Sequence, residues 1–305
     1  MTFEPSLSLN SRVFDSFEPN FDDLISNPLR GADPDTNFFA CIQSPCESNY
    51  FSENSFNALC GPHSNDLSLF HLNIRSIPAN FSSLSLYLSS LKVDFDVIAL
   101  SETWLREHTA DAFGLPCYKM ESRYREIRTG GGVSILIKES LKYIVRNDLT
   151  LFNDTIESLF IEVVSLHKRV IIAVIYRPPG TDIRDFNDSL TEVLDIIKRE
   201  RKICYIMGDF NIDLLKSNQH IPSSEFCELL FSHSFFPLIS KPTRATFETA
   251  TLIDNIFSNA CNFQQHLSGI LCTDISDHFP VFAFNPSIRI CRESQTQNPI
   301  LRRSY

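Results

Sequence analysis

Several polar side chains lie beside apolar, strand-like runs, and their types suit the hydrolysis of a phosphodiester. Glu102 closes the segment VIALSE, Asp209 and Asn211 follow ICYIM, and Asp277 with His278 precede FPV. Such hydrolysis needs a water made nucleophilic, neutralised charge on the phosphoryl oxygens and a stabilised leaving group. Carboxylates, one hard cation and one histidine can supply all three, so these residues predict a metal-assisted hydrolytic site.

Each of these positions has a definite chemical use. Glu102 offers the hard oxygen that Mg²⁺ or Mn²⁺ prefers. In GDFN, the glycine permits a tight turn, and Asp209 and Asn211 project from one face of an extended segment, although an Asx-turn is the alternative. His278 beside a carboxylate has a fixed tautomer and raised basicity. Asp254 lies in the apolar run TLIDNIF, so it needs a buried partner, either His278 or an arginine.

Two further segments complete the candidate set. Tyr176 in IYRPPG can donate its hydroxyl to a phosphate oxygen, and Arg177 can make bidentate contacts, although both also suit an ordinary strand end. Asn73 ends the run LSLFHLN. Polar residues at strand ends on one edge of a sheet can build one site.

The elements that would position these residues alternate along the chain. Apolar, β-rich runs predict strands near residues 67–73, 95–100, 131–137, 158–166, 169–178, 203–209, 250–258 and 279–284. Helical spacing of apolar residues predicts one helix from Ile77 to Leu91 and another across Phe186, Leu190, Leu194 and Ile197. This pattern favours an α/β (α+β) fold, a layered sandwich with two central mixed β-sheets covered by helices.

Composition divides the chain into three parts. Residues 1–66 are rich in Ser, Asn, Pro and Asp without a sustained period, which predicts a largely disordered acidic segment. Residues 67–285 are predicted to form the enzyme domain, and residues 286–305 a flexible tail. The first 66 residues hold ten acidic and two basic side chains, so they carry most of the net charge of −10. The near-neutral body is therefore compatible with binding of nucleic acid.

Other classes of protein are disfavoured. The chain has no long apolar run, no basic and apolar leader at its start, and no repeat of 20–50 residues. Its nine cysteines form no C-x-x-C pair, which indicates reduced thiols. Cys41, Cys46, Cys60 and His63 have an irregular spacing that only weakly suggests zinc. We therefore expect an intracellular protein with no membrane partner and no small-molecule cofactor.

The segments HLNIRS, LSETWL, IYRPP, GDFN, LIDNIF and SDHFP, in this order, resemble the motif series of the endonuclease/exonuclease/phosphatase superfamily across residues 68–284. The residues of these motifs are most similar to those of the endonuclease domain of jockey-like or CR-type non-LTR retrotransposons. The resemblance implies a four-layer, DNase I-like sandwich and an Mg²⁺ (or Mn²⁺) cofactor. It also implies that Glu102, Asn73 and Asp277 hold the metal.

The resemblance implies roles for the other positions too. Asp209 would align or deprotonate the attacking water beside Asn211, Asp254 would orient His278, and Tyr176 and His278 would contact the scissile phosphate. The candidate contacts to the DNA backbone are Arg177, Arg244, Thr246 and Ser276, and the basic strip RYREIR at 123–128 is a further candidate surface.

The implied activity is nicking of double-stranded DNA to leave a 3'-hydroxyl that primes reverse transcription, in the nucleus. The implied partner is the reverse transcriptase domain of a parent polyprotein, and residues 286–305 would begin the linker to it. A catalytically silent DNA-binding remnant is one alternative. An abasic-site endonuclease or another phosphoesterase of the same fold is a second. Arg75 stands where abasic-site enzymes tend to carry an aspartate, which weakens that second alternative.

Overall fold

The computed structural model describes residues 48–63, 65–246, 248–260 and 265–290. Its strands are β1 (Asn49–Phe51), β2 (Asp66–Asn73), β3 (Val97–Ser101), β4 (Tyr118–Arg123), β5 (Val133–Lys138), β6 (Tyr143–Val145), β7 (Glu157–Val163), β8 (Val170–Tyr176), β9 (Ile203–Asp209), β10 (Phe236–Pro237), β11 (Arg244–Ala245), β12 (Ala250–Thr251), β13 (Asp254–Ser258), β14 (Leu267–Leu271) and β15 (Val281–Arg289). Its α-helices are α1 (Glu53–Leu59), α2 (Ile77–Ser90), α3 (Glu107–Ala110), α4 (Ile183–Glu200) and α5 (Ile221–Ser232).

Two mixed β-sheets form the centre of the fold. The first has the order β1-β14-β15-β2-β3-β5-β4, in which β1 is parallel to β14 and β2 is parallel to β3. The second has the order β10-β13-β9-β8-β7-β6, in which β8 and β9 are parallel. A short hairpin of β11 and β12 stands apart from both sheets.

Side-chain alternation along the strands creates the layers. In β8, Val170 and Ile172 face the apolar core between the two sheets, whereas Ile171 and Ala173 face the core formed with α4 and α5. On the first sheet, the outward side chains of β2 pack with α2 instead. The order of layers is therefore helix, sheet, sheet, helix, and the predicted four-layer α/β sandwich is confirmed.

The longest helix forms where its apolar spacing predicts it. Asp182 caps the N-terminus of α4 by accepting a hydrogen bond from the amide of Arg184, and Arg201 ends the helix in a left-handed conformation. The four predicted core positions, Phe186, Leu190, Leu194 and Ile197, are all buried. Full burial of each such side chain contributes about 1.5–3 kcal/mol, so packing rather than helix propensity fixes α4 on the second sheet.

The prediction that residues 48–66 lack regular structure is wrong. Strand β1 pairs with β14 at the edge of the first sheet, and α1 follows it with Ser52 as its N-cap. Phe56 of α1 is buried against Phe95, Phe282 and Phe284. A three-residue strand and a two-turn helix with one buried side chain are too short to show a sequence period, which explains the error.

The predicted end of the domain at residue 285 is also too early, because β15 continues to Arg289 and buries Ile288. A register shift between Asn285 and Arg289 interrupts the alternation there. The rest of the predicted acidic segment, residues 1–47 with Cys41 and Cys46, lies outside the described residues, as does the predicted tail from residue 291. In the described parts of the chain, no helix is long and apolar enough to cross a membrane.

Candidate active site

Four side chains form one row across the second sheet. Strand register places Glu157 opposite Tyr176, Tyr176 opposite Asp209, and Asp209 opposite Asp254. Because Tyr176 faces the core between the sheets, its neighbours in the row face the same way. The row lies where β8 and β9 end and β13 begins, so segments far apart in sequence meet at one edge.

Asn73 links this row to the first sheet. It is the last residue of β2 and pairs in register with Ser101 of β3. Ser101 directly precedes Glu102, so Asn73 and Glu102 lie at neighbouring strand ends. Its amide Nδ2 donates to Glu102 Oε1 at 2.9 Å and to Asp209 Oδ2 at 2.8 Å. Two carboxylates from different sheets therefore converge on one nitrogen.

Asp209 is held by the residues that follow it. The backbone amide of Asn211 donates to Asp209 Oδ1 at 2.9 Å, and Asn211 Nδ2 donates to the carbonyl oxygen of Arg177 at 2.9 Å. Asn211 has a φ of 48°, a left-handed conformation that asparagine tolerates better than most residues. Burial, with the charge of Asp254 as the second cause, raises the pKa of Asp209 to about 7.

Asp254 and His278 form a buried pair. His278 Nδ1 donates to Asp254 Oδ2 at 2.8 Å, and the hydroxyl of Thr243 donates to the same oxygen at 2.7 Å. Burial opposes the charge on His278, yet Asp254 outweighs it and raises the pKa of the imidazole to about 9. Likewise burial alone would raise the pKa of Asp254, but the charge of His278 holds it below its usual value. The pair is therefore an imidazolium and a carboxylate near neutral pH.

Tyr176 and Trp104 flank Glu102. Tyr176 is buried, and burial together with the charge and hydrogen bond of Glu102 raises its pKa, so the phenol stays protonated. Trp104 Nε1 donates to Glu102 Oε2 at 3.3 Å. Glu102 and Trp104 have φ values of 51° and 53°. Such conformations cost about 1–3 kcal/mol each and tend to occur at functional sites.

Comparison with known proteins identifies the family of this chain. Residues 55–278 match the model of the Endonuclease/Exonuclease/phosphatase family. The chain belongs to this family. No curated protein sequence matches it.

Solved structures with the same fold include two endonucleases and a phosphatase bound to a DNA hairpin. The endonuclease domain of TRAS1, a telomere-specific non-LTR retrotransposon, is 14% identical with a TM-score of 0.58, covering 74% of this chain and 99% of that domain. The AP endonuclease LMAP from Leishmania major is 14% identical with a TM-score of 0.60, covering 74% and 89%. The 3' phosphatase NExo from Neisseria, bound to a product DNA hairpin, is 15% identical with a TM-score of 0.54, covering 72% and 99%. At these identities the likeness shows a shared DNase I-like fold.

The structure brings most of the predicted site residues of this family member together. Asn73, Glu102, Tyr176 and Asp209 are linked by hydrogen bonds. Single atoms of Asp209, Asp254 and His278 lie within 4.8 Å of one another.

Asp277 is the exception among the predicted metal ligands. Its Oδ2 accepts hydrogen bonds from Arg75 and Arg244, and these two guanidinium groups lower the pKa of Asp277 against the effect of burial. Asp277 is therefore bonded to two arginines, whereas Glu102 and Asp209 share the amide of Asn73. The physical reason is that a carboxylate beside two arginines gains more from charge-assisted hydrogen bonds than from another acidic neighbour.

Two of the predicted DNA contacts are used inside the fold. Arg177 is buried, and its NH1 and NH2 groups donate to the carbonyl oxygens of Pro178 and Thr181, so its bidentate contact with DNA stays a prediction that would require these bonds to be replaced. Ser276 donates its hydroxyl to the carbonyl of Asn73 at 2.7 Å and tethers the His278 segment to β2. Its hydroxyl is therefore committed to the site rather than to a ligand.

Arg244 and Thr246 lie on the hairpin of β11 and β12. Thr246 is exposed, and its hydroxyl accepts a hydrogen bond from the amide of Thr249 in the turn. Arg244 is partly exposed beside Asp277. Both positions are open to a ligand, so their contact with DNA stays a prediction.

The basic strip at 123–128 borders a groove next to the site. The groove, of about 400 Å³, is lined by residues that include Glu102, Tyr176, Arg125 and Arg128. Arg125 forms an ion pair with buried Glu157, and Arg128 pairs with Asp154 at 3.2 Å. The strip is therefore partly neutralised in this structure.

Sequence reasoning missed three residues that support the site. Thr243 bonds to Asp254, Glu157 holds Arg125 and accepts the amide of Gly132, and His71 lies buried close enough to Asp254 to interact with its charge. Burial lowers the pKa of His71 to about 4, so it stays neutral. Thr243 and Glu157 give no signal in the sequence because their roles depend on contacts that form only in the folded chain.

The residues present fit a divalent cation. Glu102 and Asp209 are hard oxygen donors that converge on Asn73, and in the described part of the chain no lysine or arginine bonds to either carboxylate. Asp254 Oδ1 is also buried without a hydrogen-bond partner. Asp209 is buried without a basic partner among the described residues, and a buried carboxylate charge is costly unless a cation neutralises it.

Proposed function

We propose that this chain is a divalent-metal-dependent endonuclease that nicks double-stranded DNA and leaves a 3'-hydroxyl. The observation that carries the proposal is the joining of two sets of groups at one edge of the sandwich. Asn73 and Glu102 are suited to hold Mg²⁺ (or Mn²⁺) with Asp209 beside them as the base, and Asp254 with His278 form a buried acid–imidazole pair next to Asp209.

The residues would share the chemistry as follows. A water molecule beside Asp209 would give its proton to the carboxylate and attack the phosphorus, while the bond from phosphorus to the 3'-oxygen breaks. The products are a 5'-phosphate and a 3'-hydroxyl whose proton comes from solvent. Asn211 keeps Asp209 in place through the bond to Oδ1.

His278 and Tyr176 would stabilise the phosphoryl oxygens. Asp254 binds Nδ1 of His278, which leaves Nε2 to donate to the phosphate. Tyr176 stays protonated beside Glu102 and can donate its hydroxyl. A cation held by Glu102 and Asn73 would neutralise charge on the phosphoryl oxygens and on the departing oxygen.

The biological setting that we propose is target-site nicking by a non-LTR retrotransposon. Support comes from motif sequences such as ALSETWL and SDHFPV and from the structural likeness to the TRAS1 endonuclease domain. In that setting the 3'-hydroxyl would prime a reverse transcriptase domain of the same polyprotein, and the substrate would be chromosomal DNA in the nucleus.

Nicking of supercoiled plasmid tests the proposal. The purified chain is expected to convert supercoiled plasmid to the relaxed form with Mg²⁺ and not with EDTA. Asp209→Ala, Glu102→Ala and His278→Ala should each lower the rate by about 100-fold or more. End-labelling of the nicks should show a 3'-hydroxyl. A folded, metal-loaded chain that binds DNA without nicking it would instead support a silent binding domain.

A further inference from the structure

Three charged residues form a bridge on the rim of the candidate active site. Asp277 Oδ2 accepts from Arg75 NH1 at 2.9 Å, and from Arg244 NH2 at 2.7 Å and Nε at 3.1 Å. One carboxylate therefore holds two guanidinium groups, and the bridge carries a net charge of +1.

The position of the bridge is fixed by the site itself. Arg75 follows Asn73 by two residues, and its amide donates to Asn73 Oδ1 at 3.1 Å. Arg244 directly follows Thr243, which bonds to Asp254, and Asp277 directly precedes His278. Each member of the bridge thus lies within two residues of a side chain that holds the site together.

The two arginines keep donors free for a ligand. Each guanidinium has five N–H donors in a planar fork. Arg75 uses NH1 for Asp277, and Arg244 uses NH2 and Nε; within the described residues neither guanidinium has another partner. The side chains are 56% and 40% exposed, so these donors can reach a ligand in solution.

The backbone around Arg75 is fixed in an unusual conformation. Arg75 and Ser76 have φ values of 47° and 93°, and Asn80 Nδ2 donates to the carbonyl oxygen of Arg75. A positive φ is unfavourable for both residue types, so the surrounding hydrogen bonds must maintain it. The result is that Arg75 turns toward Asp277 rather than continuing along β2.

From this geometry we infer that Arg75 and Arg244, held by Asp277, form a phosphate-binding clamp for the DNA strand beside the scissile bond, and that Asp277 is a positioning residue rather than a metal ligand. The inference rests on the proposed endonuclease function. Guanidinium forks match the geometry of phosphate oxygens, and the clamp places positive charge on an otherwise acidic chain where a phosphodiester must approach. Asp277 Oδ2 already accepts three N–H bonds, and although Oδ1 is buried without a hydrogen-bond partner, the two guanidinium groups neutralise the charge that would attract a cation to this carboxylate.

Binding of DNA without cleavage tests the clamp. The full chain is titrated in EDTA with a fluorescein-labelled duplex of about 20 base pairs at several salt concentrations, and each phosphate contact contributes about −0.9 to the slope of log K against log salt. Arg75→Ala and Arg244→Ala should each reduce the steepness of the slope by about 1. Arg199→Ala is the control, because Arg199 lies in the last turn of α4, at the opposite end of β9 from Asp209.

Binding of metal tests the role of Asp277. Trp104 is the single tryptophan of the chain and bonds to Glu102, so its fluorescence can report titration with Mg²⁺ in the absence of DNA. Asp277→Asn should leave the metal affinity within about twofold of the parent chain, whereas Glu102→Gln should lower it about tenfold or more. Thermal unfolding confirms that each variant is folded.

The outcomes separate the clamp from the proposed function. The clamp is overturned if both arginine variants have the same salt-dependence slope as the parent chain. It is also overturned if Asp277→Asn loses as much metal affinity as Glu102→Gln does. If the parent chain fails to bind DNA in EDTA, the clamp falls, whereas the endonuclease proposal falls only if the chain also fails to nick plasmid with Mg²⁺. If it binds with the expected slopes but does not nick plasmid, the clamp stands and only the proposed activity fails.

Discussion

Asp209 and Asp254 lie directly opposite each other on the antiparallel strands β9 and β13, with both side chains facing the core between the sheets. Two buried carboxylates at neighbouring positions repel each other. Asn73 and His278 each bind one of them, and the structure resolves the repulsion by giving the two acids different pKa values. This pairing by strand register is the basis of the first prediction.

Asp254→Asn should lower the nicking rate by about 100-fold or more while the fold is kept. The substitution preserves the shape of the side chain but removes the charge that holds His278 as an imidazolium. The measurement is the initial rate of plasmid relaxation with Mg²⁺. Asp195→Asn is the matched control, because Asp195 contacts His233 Nε2 at 3.1 Å on the surface of α4. Equal rates for the parent and both variants would show that the buried pair has no part in the reaction.

Asn73→Ala should destabilise the metal-free chain by about 1–3 kcal/mol, because Glu102 Oε1 and Asp209 Oδ2 both lose their shared donor. Mg²⁺ should increase this difference, because Asn73 is one of the two residues proposed to hold the cation and the parent chain therefore gains more stability from the metal than the variant does. Urea unfolding in EDTA and in Mg²⁺ measures the difference. Asn285→Ala removes a buried amide that donates to Tyr205, far from these carboxylates, so its loss should be the same in both conditions. An Asn73 variant that behaves like the Asn285 variant would contradict the metal assignment.

Gly208→Ala should prevent stable folding or lower the free energy of unfolding by more than about 3 kcal/mol. A Cβ atom at residue 208 would lie 1.9 Å from the carbonyl oxygen of Ile175 on the adjacent strand β8. The glycine is therefore needed for close strand approach and not for the tight turn that the motif GDFN predicts. Gly61→Ala is the control, since a Cβ there meets nothing within 4 Å. Circular dichroism during thermal unfolding distinguishes the two.

Glu200→Gln should lower the free energy of unfolding at neutral pH, and this effect should disappear in acid. Hydrogen bonds from Arg146 and then Lys202 hold the pKa of Glu200 below its usual value despite partial burial. The folded state therefore binds fewer protons than the unfolded state near the unfolded pKa of about 4.3, so this contribution is present above that pH and disappears below it.

Urea unfolding at pH 7 and at about pH 3 checks this sign. Because Glu200 is partly exposed, the difference at pH 7 is expected to stay below about 1 kcal/mol. Glu192→Gln is the control, as Glu192 is exposed on the same helix and has no ion pair with a described residue. If the loss of unfolding free energy caused by Glu200→Gln were larger in acid than at pH 7, the pKa of Glu200 would not be lowered in the folded state.

The sequence predicts the long elements of this fold well. Strands β7, β8 and β9 and helices α2 and α4 are long enough for their apolar period to be visible. Strand β4, with the sequence YKMESR, escapes prediction because it is an edge strand whose side chains are mostly half-exposed. Helix α5 escapes it too, since two of its four buried positions are Ser223 and Cys227, and strand β14 escapes it because a central glycine weakens its pattern.

The site is predictable as a set of residues but not as a set of contacts. Polar residues beside apolar strands indicate Asp209, Asp254 and His278 from the sequence alone. The pairing of Asp277 with Arg75 cannot be foreseen in the same way, because 277 and 75 meet only after β2 and β15 have paired. The sequence indicates that a buried carboxylate needs a positively charged partner. Only the tertiary structure decides whether that partner is a metal ion or an arginine side chain.

The two sheets differ in how far apart their paired strands lie in the sequence, and this difference affects how the chain folds. Every strand of the second sheet lies between Tyr143 and Ser258, whereas the first sheet pairs Asn49–Phe51 with Gly269–Leu271 and sets β2 between β3 and β15. During synthesis the second sheet can assemble as soon as its own residues have left the ribosome, but β2 keeps an open edge until β15 emerges. Contacts of such long sequence separation slow folding. Pairing of β14 and β15 therefore completes the sandwich, and a nascent chain waiting for these strands exposes one strand edge to aggregation.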